Sequence, residues 1–469
     1  MSQRLSPRRW FWFSSISFAL VLLPLLLAMV AFSSYLSQAQ WLAYVMDTYT
    51  WRVVWFSWWQ ACLSTVISLL AAVLVARALA RRQAFVGRWL LLRCFSVALV
   101  VPSIIAVFGI VLMHGKYGYF NQLWTWLGGD PQSYVYGLKG ILLAHVFFNL
   151  PLATRILLQR FDAINPEAWR LSSQLGMTSM DLWRHIEWPH IKGVLPQLGA
   201  LVFALCFTSF AIVMTLGGGP KATTIEVAIF QAIRFDFDLA KAVYLSLLQM
   251  FFCGFILWVG LRLGKPIDVF VSLEVSVKNM RPDRKSLLGI MADTLVLLLA
   301  TLLVLLPLMA VVIAGINTAW VDVLLDLRLW QAFTNSLWVA LSSALLSLLM
   351  ASGLLLAQRH WRRRFANAAM GVEWMGSIIL VVPPLVLATG LFIGLSPHVN
   401  VFAINLYIVV LVNALMGLPY ILRVLSVAYL KIARDYDRLC SSLDVQGWHR
   451  LRLVEWPILR KPIGLALAL

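Results

Sequence analysis

Ten apolar runs, each long enough to cross a bilayer, constrain the fold of this chain. A membrane-spanning helix needs about 20 mostly apolar residues. Only 12% of the residues are charged, against about 25% in soluble domains. We therefore predict an all-α polytopic membrane protein with about ten full spans. The runs lie near residues 11–32, 53–77, 92–113, 137–159, 194–215, 242–262, 288–314, 330–357, 372–395 and 402–425.

The basic residues cluster between these runs and predict the orientation. If the N-terminus is cytoplasmic, 31 of the 38 Lys and Arg residues fall on the cytoplasmic side. Such a bias is the topology signal of membrane proteins. It accounts for the net charge of +18 by contact with the lipid bilayer, so we expect no nucleic-acid partner.

A repeated loop divides the chain into two halves. Residues 170–189 read RLSSQLGMTSMDLWRHIEWP, and residues 438–457 read RLCSSLDVQGWHRLRLVEWP, with 8 of 20 positions identical. LVVPSIIAVFG at 99–109 likewise matches LVVPPLVLATG at 380–390. Six spans separate equivalent points, so the halves have the same orientation and form a parallel repeat.

The repeat predicts the domain boundaries. The first half covers 1–263 with its cytoplasmic loop at 162–193, and a cytoplasmic linker occupies 264–286. The second half covers 287–469 with its loop at 431–461. Because Leu469 corresponds to Leu201, an eleventh span begins but is incomplete, and we expect the second half to be C-terminally truncated.

The first loop is predicted to be two short helices separated by a break. Asn165 and Pro166 have the character of an N-cap and a first helical residue, and Gly176 is predicted to break the helix. Ser179 is predicted to cap a second helix that Pro189 ends.

The second short helix is predicted to be amphipathic. Leu182, Ile186 and Pro189 form an apolar ridge at helical spacing, with Arg184 and Glu187 elsewhere on the surface. The duplicated element therefore favours a docking role over that of a simple interfacial helix.

The sequence offers no catalytic constellation. It contains no GxxxxGK[ST] phosphate loop, and its five cysteines form no CxxC pair, so we expect neither ATP hydrolysis on this chain nor a metal or cofactor. No acidic residue lies at the centre of a predicted span, which disfavours an ion-coupled carrier. His145 lies inside a span without an evident partner, which favours a packing role.

The duplicated loop resembles the cytoplasmic loop of ABC importer permeases, which is marked by a Gly, a spaced hydrophobic residue and a Pro. Gly176, Ile186 and Pro189 match this pattern, as do Val454 and Pro457. The chain departs from it at Arg170 and Arg438, which stand where the family has Glu. Asp444 replaces the second Gly. Over its whole length the chain is similar to the fused double permeases of the iron(III)/thiamine type, with thiamine the closest substrate match.

This resemblance implies the type I importer permease fold in the bacterial inner membrane. Two separate ATPase subunits would bind the loops, one each, and a periplasmic binding protein would deliver thiamine or its phosphates. Iron(III) and other small solutes remain alternative substrates, and a parallel-repeat secondary transporter remains an alternative class. The implied ATPase-coupling residues are Arg170, Gly176, Ile186, Glu187, Trp188, Pro189, Arg438, Asp444, Val454, Glu455, Trp456 and Pro457. Pro102 and Pro383 are candidate kinks of gating helices.

Overall fold

A computed structural model describes residues 7–36, 41–264, 281–361, 379, 382–443, 445 and 447–468. Within these ranges the chain is helical and contains no β-strand, which confirms the predicted all-α class. In chain order the α-helices are α1 (Pro7–Leu36), α2 (Trp41–Met46), α3 (Thr48–Arg81), α4 (Arg88–Val100), α5 (Ser103–His114), α6 (Tyr119–Trp126), α7 (Leu138–Asp162), α8 (Pro166–Gln174), α9 (Ser179–Leu182), α10 (Trp188–Ile191), α11 (Leu195–Phe207), α12 (Phe210–Leu216), α13 (Ile225–Arg234), α14 (Leu239–Leu263), α15 (Leu287–Ile316), α16 (Trp320–Leu325), α17 (Leu327–Trp361), α18 (Pro384–Leu395), α19 (Asn405–Asp435), α20 (Asp437–Ser442), α21 (Gly447–Arg450) and α22 (Trp456–Ala468).

Eight helical segments in the described part of the chain are long and apolar enough to cross a membrane. A ninth span results if the pair Ser179–Ile191 and Leu195–Phe207, bent by 62°, is taken as one. The chain is thus a multi-pass membrane protein.

The chain packs into two compact units. The larger unit contains Leu42–Phe237 and Phe251–Thr318, and its centre is the pair α3 and α7. The face of α3 in this unit is a stripe of small residues, which lets helix backbones approach closely. The fully buried members of the stripe are Ser57, Ala61, Ser64, Ser68 and Ala72.

The smaller unit contains Met1–Trp41, Asp238–Met250 and Ala319–Leu469. Its central pair is α17 and α19. The buried face of α17 includes Ser343, Ser347 and Ala351, which are the repeat counterparts of Ser64, Ser68 and Ala72. The sequence repeat therefore corresponds to the same kind of helix pair in each unit.

Each half of the sequence contributes its first long helix to the unit built mainly from the other half. In the smaller unit α1 packs on α17 and α18, and in the larger unit α15 packs on α3, α4 and α5. A Cβ atom built on Gly390 would lie 2.4 Å from Cβ of Ala28, and one built on Gly109 would lie 2.3 Å from the carbonyl oxygen of Pro307. The repeated glycine of the LVVP motif thus gives a first helix room to approach.

Two of the predicted spans are interrupted. The run at 92–113 was expected to be one helix, but α4 ends at Val100 and α5 begins at Ser103. Pro102 lacks an N–H and restricts Val101 to an extended conformation (φ −62°, ψ 128°). The run at 194–215 is broken between α11 and α12. For the run at 372–395 the structure describes only residue 379 and the part from 382 onward.

Candidate functional site

The first loop begins as predicted. The side chain of Asn165 accepts a hydrogen bond from the backbone N–H of Glu167 (3.0 Å), and Pro166 follows at the first helical position, where its missing N–H costs nothing. Gly176 has a φ of +62°, so the predicted break is confirmed. The N–H of Met177 then donates to the carbonyl of Ser172 (3.1 Å), which is the closing bond of a Schellman turn.

The second loop closes in the same way. The N–H of Val445 donates to the carbonyl of Cys440 (2.9 Å), and both residues lie 268 positions after the partners in the first loop. Asp444, which stands at the position of Gly176, lies outside the described residues. The turn is therefore closed by the same bond in both halves although the residue at its centre differs.

Thr178, and not Ser179 as expected, is the N-cap of α9. Its hydroxyl and backbone N–H bond the carboxylate of Asp181 (2.6 and 3.0 Å), forming a capping box with Asp181. The hydrogen bond from the Thr178 side chain, joined by that from its backbone, lowers the pKa of Asp181. Ser179 instead bonds Arg77, whose guanidinium donates to the Ser179 carbonyl oxygen (2.9 Å).

Each loop contains one π-helical turn at equivalent positions. The turns are Trp183–Glu187 and Leu451–Glu455, again 268 residues apart. We attribute them to Pro189 and Pro457, because a proline ring clashes with the carbonyl four residues earlier and a wider turn relieves that clash. The expectation that Pro189 ends the helix was wrong, since the helix continues through α10, where Pro189 lies in the first turn.

Glu187 is buried and forms ion pairs with two arginines. Its side chain has no exposed surface, and one carboxylate oxygen lies 2.6 Å from Nε of Arg77. The other oxygen pairs with Arg281, which comes from the predicted linker. Arg281 also lies over the ring of buried Trp169, 4.3 Å from its centroid. The prediction that Glu187 lies on the surface was therefore wrong, because these two cations compensate its burial.

The cluster extends from Arg281 to the cytoplasmic end of α3. Asp283 pairs with Nε of Arg281 (3.3 Å) and with Nε of Arg81 (3.2 Å). Arg81 and Arg82 both contact Asp293 on α15 (3.4 and 2.8 Å). Burial alone would raise the pKa of Asp283, but the charges of Arg281 and Arg81 outweigh it and hold that pKa below its usual value. The start of α15 is thereby fixed to α3 and to the first loop.

Glu455 has the equivalent role in the second loop. One of its carboxylate oxygens lies 2.9 Å from Arg359 at the end of α17 and 3.0 Å from Arg450. Asp437 pairs with the same two arginines. Both arginines of this cluster belong to the second half itself, whereas Glu187 takes one of its partners from the linker.

Exposed leucines are a feature of both loops that was not predicted from the sequence. Leu171 on α8 and Leu175, the C-cap of α8, are one turn apart and are 57% and 63% exposed. Leu439 and Leu443, at the equivalent positions, are 51% and 64% exposed. The sequence pattern that could have identified them is their recurrence at the 268-residue offset. The apolar ridge that we expected, by contrast, faces inward, with Leu182 and Ile186 buried.

The other residues predicted for the site fall into three groups. Trp188, Pro189, Trp456 and Pro457 are exposed beside the buried glutamates, Arg170 is exposed on α8, and Val454 is half-buried. Arg438 lies in α20, but its side chain is outside the described residues. Pro102 and Pro383 are the N-caps of α5 and α18, with Pro102 at the break between α4 and α5, and their role in gating stays a prediction. No group of His, Cys, Asp and Glu in the described part of the chain is suited to bind a metal ion.

Replacing Gly176 with valine should open the first loop. A Cβ atom at this position meets nothing within 4 Å, so the cost is that of the left-handed backbone, about 1–2 kcal/mol. Amide hydrogen exchange across α8 and α9 should accelerate by about 5- to 30-fold. Gly176→Asn is the control, because Asn tolerates this conformation; equal exchange in the two variants would contradict the prediction.

Comparison with known proteins assigns the family. The chain is 44% identical over 425 residues to the thiamine transport system permease protein ThiP of Salmonella typhimurium, covering 90% of this chain and 78% of that protein. It is 43% identical to ThiP of Escherichia coli over 92% of this chain and 80% of that protein. It is 40% identical to ThiP of Brucella abortus over 90% and 77%.

A more distant relative matches part of the chain. The ferric transport system permease protein FbpB of Actinobacillus pleuropneumoniae is 26% identical over 243 residues, or 50% of this chain and 33% of that protein. No family model matches the sequence. With identities of 40–44% over 90% or more of its length to three ThiP proteins, the chain belongs to the family of thiamine transport system permeases.

Proposed function

We propose that this chain is the membrane permease of an ATP-driven importer that carries thiamine or its phosphates. The observation that carries this proposal is the family relationship, at 44% identity over 90% of the chain. The multi-pass helical fold and the absence of an acidic residue from the predicted span centres agree with transport driven by a partner subunit.

The two loops are the proposed ATPase-binding points. Each offers an exposed pair of leucines, one on a short helix and one at its C-cap, and each is fixed to the end of a long helix by a buried glutamate that pairs with two arginines. A push on an exposed helix is thereby passed to α3 in one half and to α17 in the other. We propose that one ATPase subunit binds each loop on the cytoplasmic side of the bacterial inner membrane, with the N-terminus on that side.

A periplasmic binding protein is the proposed source of substrate. α13 is buried along Ile225–Ile229, while Phe235 and Phe237 beside it are 64% and 79% exposed. The proposed orientation, supported by the charge distribution, has this segment on the outer side of the membrane. Two exposed aromatic side chains there are suited to contact a partner protein.

Uptake of radiolabelled thiamine tests the proposal. A strain lacking its own thiamine permease, but retaining the ATPase and the binding protein, should accumulate label when this chain is expressed. Vanadate blocks ATPase turnover, so it should abolish thiamine uptake in vesicles where it can reach the cytoplasmic face of the importer. A protonophore should leave thiamine uptake unchanged. Uptake that stops with the protonophore alone would indicate a secondary transporter.

Iron(III) is the second candidate substrate, favoured by the similarity to the ferric permease over half of the chain. The same strain should be assayed with labelled iron(III). Accumulation of iron without accumulation of thiamine would overturn the thiamine assignment and leave the permease assignment in place.

A further inference from the structure

The break between α11 and α12 lies within the predicted span at 194–215, in the larger unit. α11 ends at Phe207, and α12 begins at Phe210. The break removes regular backbone hydrogen bonds, and in an apolar surrounding such groups must find other partners. The carbonyl of Cys206 finds two: Gln60 Nε2 donates to it (3.1 Å), and so does the hydroxyl of Ser209 (2.9 Å).

His145 closes the network around the break. Its Nδ1 lies 2.8 Å from Oγ of Ser64, and its Nε2 lies 2.7 Å from Oγ of Ser209. Because the Ser209 hydroxyl donates to the Cys206 carbonyl, we assign the imidazole proton to Nε2, which then donates to Ser209. Nδ1 accepts from Ser64. The packing role expected for His145 was therefore incomplete, since both of its ring nitrogens have partners.

The network is built from two helices at matching spacing. Gln60 and Ser64 lie one turn apart on α3, and His145 and Asn149 lie one turn apart on α7. Asn149 donates to Sγ of Cys206 (3.2 Å). All four side chains are at most 4% exposed. Side chains on two continuous helices thus replace the backbone bonds that the interrupted helix lacks.

One polar atom at the break is unsatisfied. Oε1 of Gln60 has no hydrogen-bond partner among the residues that the structure describes, although Gln60 is fully buried. An unsatisfied buried acceptor costs about 1–3 kcal/mol. A second arrangement of the break in which a donor reaches this oxygen would recover that cost.

The position of the break connects it to the loop. The first loop runs through its π turn and α10 to α11, across the bend at residues 192–194. α12 leads on to α13, whose first N–H donates to Oγ of Ser57 on α3 (2.9 Å). A displacement of the loop therefore reaches the break before it reaches the outer segment.

We propose that the α11–α12 break is a hinge of the transport cycle and that His145 is the positioning residue that holds it. Side-chain hydrogen bonds can exchange partners as the angle between α11 and α12 changes, whereas backbone helix bonds cannot. The hinge rests on the proposed ATP-driven transport function. The second half offers no such histidine, because Asn413 stands at the equivalent position.

The first test measures the hinge directly. Spin labels at Leu205 on α11 and Met214 on α12, both exposed, are introduced with Cys62→Ser, since Cys62 is the exposed one of the five cysteines. In the complete importer, dipolar broadening should differ between the ATP-free and vanadate-trapped states. His145→Leu should reduce that difference. Equal broadening in the two states of the otherwise unchanged chain would overturn the hinge.

The second test measures coupling. In proteoliposomes, His145→Leu should lower the thiamine transported per ATP hydrolysed by about tenfold, because a buried hydrogen-bond donor and acceptor are lost. His145→Gln, which retains both, should restore most of the ratio. An unchanged ratio in His145→Leu would overturn the positioning role. If the unaltered importer takes up no thiamine, the substrate proposal fails, and the spin-label comparison still decides the hinge.

Two milder variants test the same hydrogen-bond network in case His145→Leu does not fold. Ser64→Ala removes the bond to Nδ1, whereas the matched Thr65→Val removes only a bond to the Ala61 carbonyl on the same helix (2.7 Å). Ser64→Ala should lower the transport ratio, and Thr65→Val should not. Equal ratios would overturn the proposal.

Discussion

Glu187→Ala should be among the most destabilising single changes in this chain. It removes one of the two carboxylates that pair with Arg281, whose side chain is only 1% exposed, and leaves Asp283 as the other partner; breaking a buried ion pair from one side costs up to about 3–5 kcal/mol. The midpoint of chemical unfolding of the purified permease in detergent should fall accordingly. Glu187→Gln, which keeps hydrogen bonds but not the charge, should give an intermediate midpoint.

Glu167→Ala is the matched control, since Glu167 is exposed and lies on the same loop. It should leave the midpoint nearly unchanged. The double variant Glu187→Met, Arg281→Met should regain part of the lost stability, because apolar side chains of similar volume can replace a buried pair, although Arg77 and Asp283 each lose one partner. Equal midpoints for Glu187→Ala and Glu167→Ala would show that the pair contributes no stability.

Changing Leu171 and Leu175 together to aspartate should remove the ATPase subunit from the first loop. Burying one leucine contributes about 1.5–3 kcal/mol, so losing two should weaken binding by about 100-fold or more. Co-purification with the ATPase, quantified by mass photometry, should then show one ATPase per permease. Changing Leu439 and Leu443 as well should leave none.

Val86→Asp controls for a new charge on the same side of the membrane, because Val86 is fully exposed and lies between α3 and α4. It should retain two ATPase subunits. Retention of both subunits by the four-leucine variant would refute docking at these helices.

The sequence was sufficient for features that depend on local chemistry. Apolar length predicted α3, α7 and α19, and the Asn165 cap and the Gly176 break follow from backbone preferences of those residues. The broken spans were harder, because apolar length gives no sign of a break at Thr208–Ser209, and Pro102 indicated a bend without showing that the helix stops there. Hydropathy reports burial in lipid and not helical continuity.

The burial of Glu187 could not be predicted from the sequence for a different reason. A carboxylate on an amphipathic helix is ordinarily exposed, and its partners Arg77 and Arg281 lie 110 and 94 residues away. Similarly, His145 gains its partners from α3 and from the break at Ser209. Contacts over such separations depend on tertiary packing, which a single sequence does not show.

The two halves differ in whether each contains both arginines that pair with its own loop glutamate, because Arg281 comes from the linker. A polypeptide that ended before residue 281 would carry the first loop with one of the two cations around Glu187 missing. A polypeptide that began at residue 287 would keep both arginines around Glu455. The covalent link between the halves therefore has a structural role, because the segment after the first half supplies the second arginine that pairs with Glu187 of the first loop. Two separately encoded subunits made from this chain would therefore keep Arg281 with the first loop if the cut lay after residue 286, immediately before α15.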